Sequence, residues 1–122
     1  MLEIHPVTNS SELSEYIEKN SLPENAAVLK AYENGETVGS ISMTIEGFAE
    51  KAVEMLHTFE YSDDLTGELL IRAAVSYAFN RAVPTVKAPK SMQNAIFDKV
   101  GFESDEQNVS IDTKNVVHFC KK

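Results

Sequence analysis

The first residues of the chain alternate. Leu2-Glu3-Ile4-His5 reads as a short strand that ends at Pro6. The period then lengthens. Asn9 with Glu12 three residues on has the spacing of a capping box, and Leu13, Tyr16 and Ile17 follow on one helical face until Asn20, Ser21 and Pro23 stop it. Ala27–Glu33 and Thr37–Ile45 are strand-like segments flanking Asn34-Gly35, a pair suited to a tight hairpin. Ile41, Met43 and Ile45 alternate with Ser42 and Thr44. Val38 falls out of that parity, and Gly39 marks the place for a bulge. From Val53 to Tyr61 strict alternation puts Val53, Met55, His57, Phe59 and Tyr61 on one face and Glu54, Thr58 and Glu60 on the other.

A second helical pattern runs over Gly67–Ala82, where Leu70, Ala74, Tyr77 and Ala78 form a stripe widened by Leu69, Ile71, Val75 and Phe79. A helix this apolar belongs against a sheet. Asp63, Asp64 and Thr66 precede it as capping or first-turn residues. Thr85–Ala88 is a short strand between Pro84 and Pro89. Ser91 is placed to cap a further helix with Met92, Ala95, Ile96 and Val100, closed by Gly101. Val109–Asp112 and Val116–Cys120 read as a last hairpin around Thr113-Lys114-Asn115. The order is βαβββαβαββ, a mixed α/β class, and with neither linker nor repeat the 122 residues form one domain.

Composition narrows the function. One cysteine excludes an intramolecular disulfide framework. No stretch reaches the length of a membrane span and the start lacks a secretory pattern, so a cytoplasmic protein with no membrane partner is expected. The net charge of −8 argues against a nucleic-acid binder. The charge is uneven: residues 1–71 hold 3 basic and 14 acidic side chains, whereas residues 72–99 hold Arg72, Arg81, Lys87, Lys90 and Lys99 against Asp98 alone. Such an island attracts a small anion, or is a chance cluster of solvated charges. Hydrolase, P-loop and dinucleotide motifs are missing, His5 stands apart in sequence, and His118 with Cys120 makes too small a set for a metal.

The strand Val53–Phe59, the segment Ser62-Asp63-Asp64-Leu65-Thr66-Gly67, the helix opening Glu68-Leu69-Leu70-Ile71-Arg72-Ala73 and the later Phe97-Asp98-Lys99-Val100-Gly101-Phe102 together resemble the GNAT superfamily of acyl-coenzyme A-dependent N-acetyltransferases. The family pattern is a strand, a Gln/Arg-x-x-Gly-x-Gly/Ala loop and a helix, followed further on by a helix ending Tyr-x-x-x-Gly-Phe. The resemblance implies a three-layer domain with helices on both faces of a mostly antiparallel sheet. Two central parallel strands, Val53–Phe59 and Thr85–Ala88, would splay to admit the pantetheine arm of acetyl-CoA. It implies that the backbone of Ser62, Asp63, Asp64, Leu65, Thr66 and Gly67 cradles the pyrophosphate at a helix start, with Arg72 or another residue of the basic island meeting phosphate. No metal is called for.

Within that likeness His57 is a candidate base, since imidazole titrates near neutrality; the alternative is a half-buried histidine bonded to backbone. A bulge in the strand would exchange its faces and bring forward Glu54 or Glu60 instead. The acceptor would be an amine of a small molecule or peptide, and the acidic N-terminal part suits a cationic one. Five residues depart from the pattern. Ser62 stands for Gln or Arg, and Leu65 for the first glycine. Asp63 and Asp64 bring negative charge to an anion cradle. Phe97, in the place of a proton-donating tyrosine, has no proton to give. These departures define a second class: a non-catalytic protein of this fold, with a degenerate cofactor site, that works by interaction or regulation. A homodimer through an edge strand stays open.

Overall fold

The computed structural model describes residues 1–114. Ten elements follow one another: β1 (Leu2–Pro6), α1 (Ser10–Lys19), β2 (Ala27–Glu33), β3 (Glu36–Glu46), β4 (Val53–Tyr61), α2 (Asp64–Asn80), β5 (Thr85–Pro89), α3 (Ala95–Val100), β6 (Glu103–Ser104) and β7 (Asn108–Asp112). They build one seven-stranded sheet in the order β1-β2-β3-β4-β5-β7-β6. Every neighbouring pair is antiparallel except β4–β5. The expected class and the expected parallel pair are both present. The expected order of elements holds from β1 through α3, and after it the expected strand Val109–Asp112 is present as β7. Between α3 and β7 lies β6, which the pattern did not signal. The strand expected at Val116–Cys120, with His118 and Cys120, lies outside the described residues.

Local chemistry explains the elements. Asn9 caps α1 by accepting from the Glu12 amide (3.0 Å). Asn34 and Gly35 both take positive φ, 55° and 87°, the backbone of a two-residue hairpin turn between β2 and β3. Val38 is the extra residue of a bulge, because Ala31 pairs with Gly39 and Tyr32 with Thr37. Gly39 is needed for close packing: a Cβ there would lie 2.8 Å from Leu70 Cδ1 and 2.9 Å from the Glu60 carbonyl oxygen. The helix α3 begins later than expected. Its cap is Asn94, which accepts from the Ile96 amide, while Ser91 sits in a single 3₁₀ turn before it. Gly101, at φ 113°, ends it in the left-handed conformation.

The two faces of the sheet differ. Ile41 and Met43 of β3, Leu56 of β4, Val86 and Ala88 of β5, and Val109 and Ile111 of β7 form the core with Leu70, Ile71, Ala74, Val75 and Ala78 of α2 and Phe97 of α3. The opposite face carries Ser40, Ser42 and Thr44, all buried, and α1 lies over part of it. The Tyr16 hydroxyl bonds to those of Ser40 and Thr58 (2.9 Å each), and Lys30 pairs with Glu12 (2.7 Å). Strict alternation in β4 fails at one point. Ser42 pairs with Thr58 but Met43 pairs with Leu56, so His57 is an extra residue and the strand changes faces there. Glu54 and Leu56 therefore lie on the core side, as Phe59 does beyond the bulge. His57 turns the other way, its Nε2 2.8 Å from Thr44 Oγ1.

Candidate functional site

The site suggested by the sequence is the junction of β4, α2 and β5. β4 ends at Tyr61 and α2 begins at Asp64, so only Ser62 and Asp63 join them. A helix start offers unpaired amides, and the question is where these point. The Ser62 amide donates to the Val38 carbonyl (2.9 Å). The Thr66 amide donates to Asp63 Oδ1 (2.9 Å), and that of Gly67 to the Asp63 carbonyl (3.0 Å). Asp63 is thus the N-cap of α2. The Thr66 amide above all, with the Thr66 side chain and the Leu65 amide, holds its carboxyl below the usual range, with a small opposing effect of burial. Gly67 is also accounted for without a ligand: a Cβ there would come within 2.9 Å of Ile96 Cδ1 and 3.0 Å of the Tyr61 ring.

Asp64 is exposed beside this cap, and Leu65 presents its side chain to solvent at 64% exposure. Arg72, the cation expected to meet phosphate, is bound by Glu68 (3.0 Å), which Lys99 of α3 also reaches (3.0 Å). Lys99 and then Arg72 hold the Glu68 carboxyl below its ordinary pKa. Elsewhere in the basic island, Arg81 lies 3.5 Å over the Tyr77 ring and Lys90 donates to the Asp105 carbonyl. Asp64, Leu65 and Glu68 of α2 face Ala95, Ile96 and Lys99 of α3 across a groove of about 190 Å³. Its rim carries two carboxylates. The residues at this helix start fit a diphosphate poorly: the Ser62 and Thr66 amides are committed to protein acceptors outside the helix ladder, and the carboxylates of Asp64 and Glu68 stand with the Lys99 ammonium around the free space, next to the Asp63 cap.

The parallel pair does part. β4 and β5 are in register only over Val53–Met55 and Thr85–Lys87; beyond that β4 continues to Tyr61 and β5 to Pro89. α3 and its cap residue pack against β4 there. Asn94 Nδ2 donates to the Tyr61 hydroxyl (2.9 Å), and Phe97 meets Phe59 edge to face at 5.6 Å and Phe102 at 5.0 Å. Phe97 is fully buried.

The two candidate bases are on opposite sides of the sheet. His57 is half-buried on the side of α1, bonded to Thr44. Glu54 is fully buried in the core, and neither of its oxygens has a hydrogen-bond partner. Burial pushes its pKa up to about 8, against a smaller pull from Arg81. Glu60 is exposed. The bulge thus exchanges faces, and Glu54 lies enclosed in the core. Sequence reasoning missed the Asn94–Tyr61 bond and the Glu68–Lys99 pair. The asparagine before an apolar helical turn was a legible cap signal; the ion pair, 31 positions apart in sequence, was not. Among the described residues no group of three His, Cys, Asp or Glu is placed to hold a metal, and no helix is long and apolar enough to cross a membrane.

No protein-family model matches the chain, and no curated protein matches it by sequence. Solved structures do match. A probable acetyltransferase from Staphylococcus epidermidis superimposes with a TM-score of 0.70 at 15% identity, over 93% of this chain and 99% of that one. The IAA acetyltransferase from Bacillus cereus gives 0.67 at 14% identity, over 92% and 99%. An acetyltransferase of the GNAT family from Streptococcus pneumoniae gives 0.60 at 16% identity, over 87% and 77%. Mixed sheet, bulged β4, parting parallel strands and these superpositions agree: the chain has the fold of the GNAT acetyltransferases.

Proposed function

We propose that this chain is a non-catalytic member of that fold, working by interaction or regulation, with a cationic partner such as a polyamine or a lysine-rich peptide. The observation that carries the reading is the Asp63 cap. A diphosphate would need the amides that Asp63 and Val38 already accept from, and would meet the charges of Asp63 and Asp64 there. The excess of carboxylates over residues 1–71 supports the sign of the partner, and argues against nucleic acid. The single cysteine suits a cytoplasmic setting.

A second reading keeps the activity of the fold: binding of acetyl-CoA by Ser62–Gly67 and Arg72, and transfer of the acetyl group to an amine, with His57 as base. The β4 bulge at His57 and the parting of β4 from β5 favour it. Calorimetric titration with acetyl-CoA at low salt separates the two. Affinity weaker than about 1 mM is expected. Micromolar binding, with acetylation of an amine seen by mass spectrometry, overturns the first reading in favour of the second. A Leu65→Gly, Asp64→Lys double substitution should raise the affinity in either case. Titration with spermine or a lysine-rich peptide then tests the partner, and a preference for anionic peptides would remove it.

A further inference from the structure

The sheet has a seam. The antiparallel half β1-β2-β3-β4 and the half β5-β7-β6 are joined only by the β4–β5 ladder, three residue pairs long. Glu54 is the middle residue of that ladder on the β4 side, opposite Val86, with Ile45 as its neighbour in β3. It is the one ionisable side chain in the buried core among the described residues, with no exposed surface and neither oxygen bonded.

An unpartnered carboxyl in such surroundings stays neutral, because a carboxylate there would lose its hydration without compensation. Of the elements against it, β3 and β5 offer the uncharged Ile45 and Val86. Arg81, the residue just past the end of α2, is the charge that acts on it. That guanidinium is engaged elsewhere, stacked on Tyr77 and donating to the Tyr77 carbonyl (3.2 Å). At this place a lost proton has no local remedy except opening the ladder to water.

We propose that Glu54 is a proton-operated clasp on the seam: protonated, it lets the β4–β5 pairing stay shut, and release of its proton to solvent opens that pairing and loosens the two halves of the sheet. The opening needs no cofactor, so the proposal stands apart from the question of acetyl-CoA. Its physical support is the position of the carboxyl, reinforced by the direction in which burial moves its titration.

Amide hydrogen exchange on the whole chain tests it, with rates corrected for the intrinsic effect of pH. Amides of Val53–Met55 and Thr85–Lys87 should lose protection about tenfold per pH unit between about pH 5 and 8, since each opening releases one proton. Amides of the β2–β3 hairpin, which open only when the whole chain unfolds, should share the slope but stay at least about tenfold better protected at every pH. In Glu54→Gln the seam should keep constant protection over the same range; Glu54→Met serves if the glutamine variant does not fold. Three results overturn the proposal: seam and hairpin equally protected at every pH, the same slope persisting without the carboxyl, or a ¹³C carboxyl signal of Glu54 that titrates in the ordinary range near 4.5.

Discussion

The two faces of the sheet are held by different forces. Toward α2 and α3 the contacts are apolar and interlocked, with Phe59, Phe97 and Phe102 meeting edge to face and Gly39 and Gly67 letting α2 come close. Toward α1 a row of buried hydroxyls faces a helix with no fully buried residue. Burial without direction secures one side, and a few directed hydrogen bonds secure the other. The difference teaches where each kind of perturbation should be felt.

The largest effect is expected on the apolar side. Phe97→Ala would empty a site enclosed by two other rings and should cost about 3–5 kcal/mol in chemical denaturation, enough to leave a marginal domain. A loss under about 1 kcal/mol would mean that α3 packs loosely. Next is the buried carboxyl on that side. Glu54 holds its proton in the folded chain up to about pH 8 and releases it near 4.5 when unfolded, so unfolding liberates a proton throughout that window. Stability should therefore fall as pH rises from about 4.5 to 8 and then level off. Glu54→Gln removes the slope and should add of order 2–3 kcal/mol at pH 7. Denaturant curves of both proteins at pH 5, 7 and 9 check the sign.

On the hydroxyl side the expected effect is smaller. Tyr16→Phe deletes the bonds to Ser40 and Thr58 and should cost about 1–2 kcal/mol, with α1 exchanging its amides faster while α2 is unchanged. If α2 loosened equally, the two faces would not be independent. The smallest effect is expected at the α2 start. Asp63→Ala gives up an exposed cap and should lower the melting temperature less than Tyr16→Phe does. It also frees the Thr66 amide, so weak retention of pyrophosphate by the variant alone, seen by ³¹P line broadening, would sharpen the account of why this helix start is closed.

Much of the fold was legible along the chain. Asn9 and Glu12, Asn34-Gly35, the glycine beside the Val38 bulge and the α2 stripe act over a few residues, and each element formed where its local chemistry placed it. The start of α3 was misplaced because Ser91 and Asn94 are both able to cap and only packing chooses between them. The candidate site was half legible. Ser62–Gly67 form the junction of β4 and α2, and the departures at Asp63 and Leu65 were visible as residue types, whereas Glu54 and His57 fall on opposite sides of the sheet. That Asp63 would accept from Thr66, and that Arg72 would be claimed by Glu68, depended on where side chains settle after the helices pack.

The order of elements from β1 through α3, their class and the negative charge follow from the sequence by itself, since periodicity, turns and composition are properties of short stretches. The faces of β4 do not. One extra residue at His57 reverses every side chain beyond it, and whether a strand absorbs that residue is decided by the partner strand and by α2. Tertiary structure therefore placed Glu54 inside and His57 out, because a period of two carries no memory across a bulge.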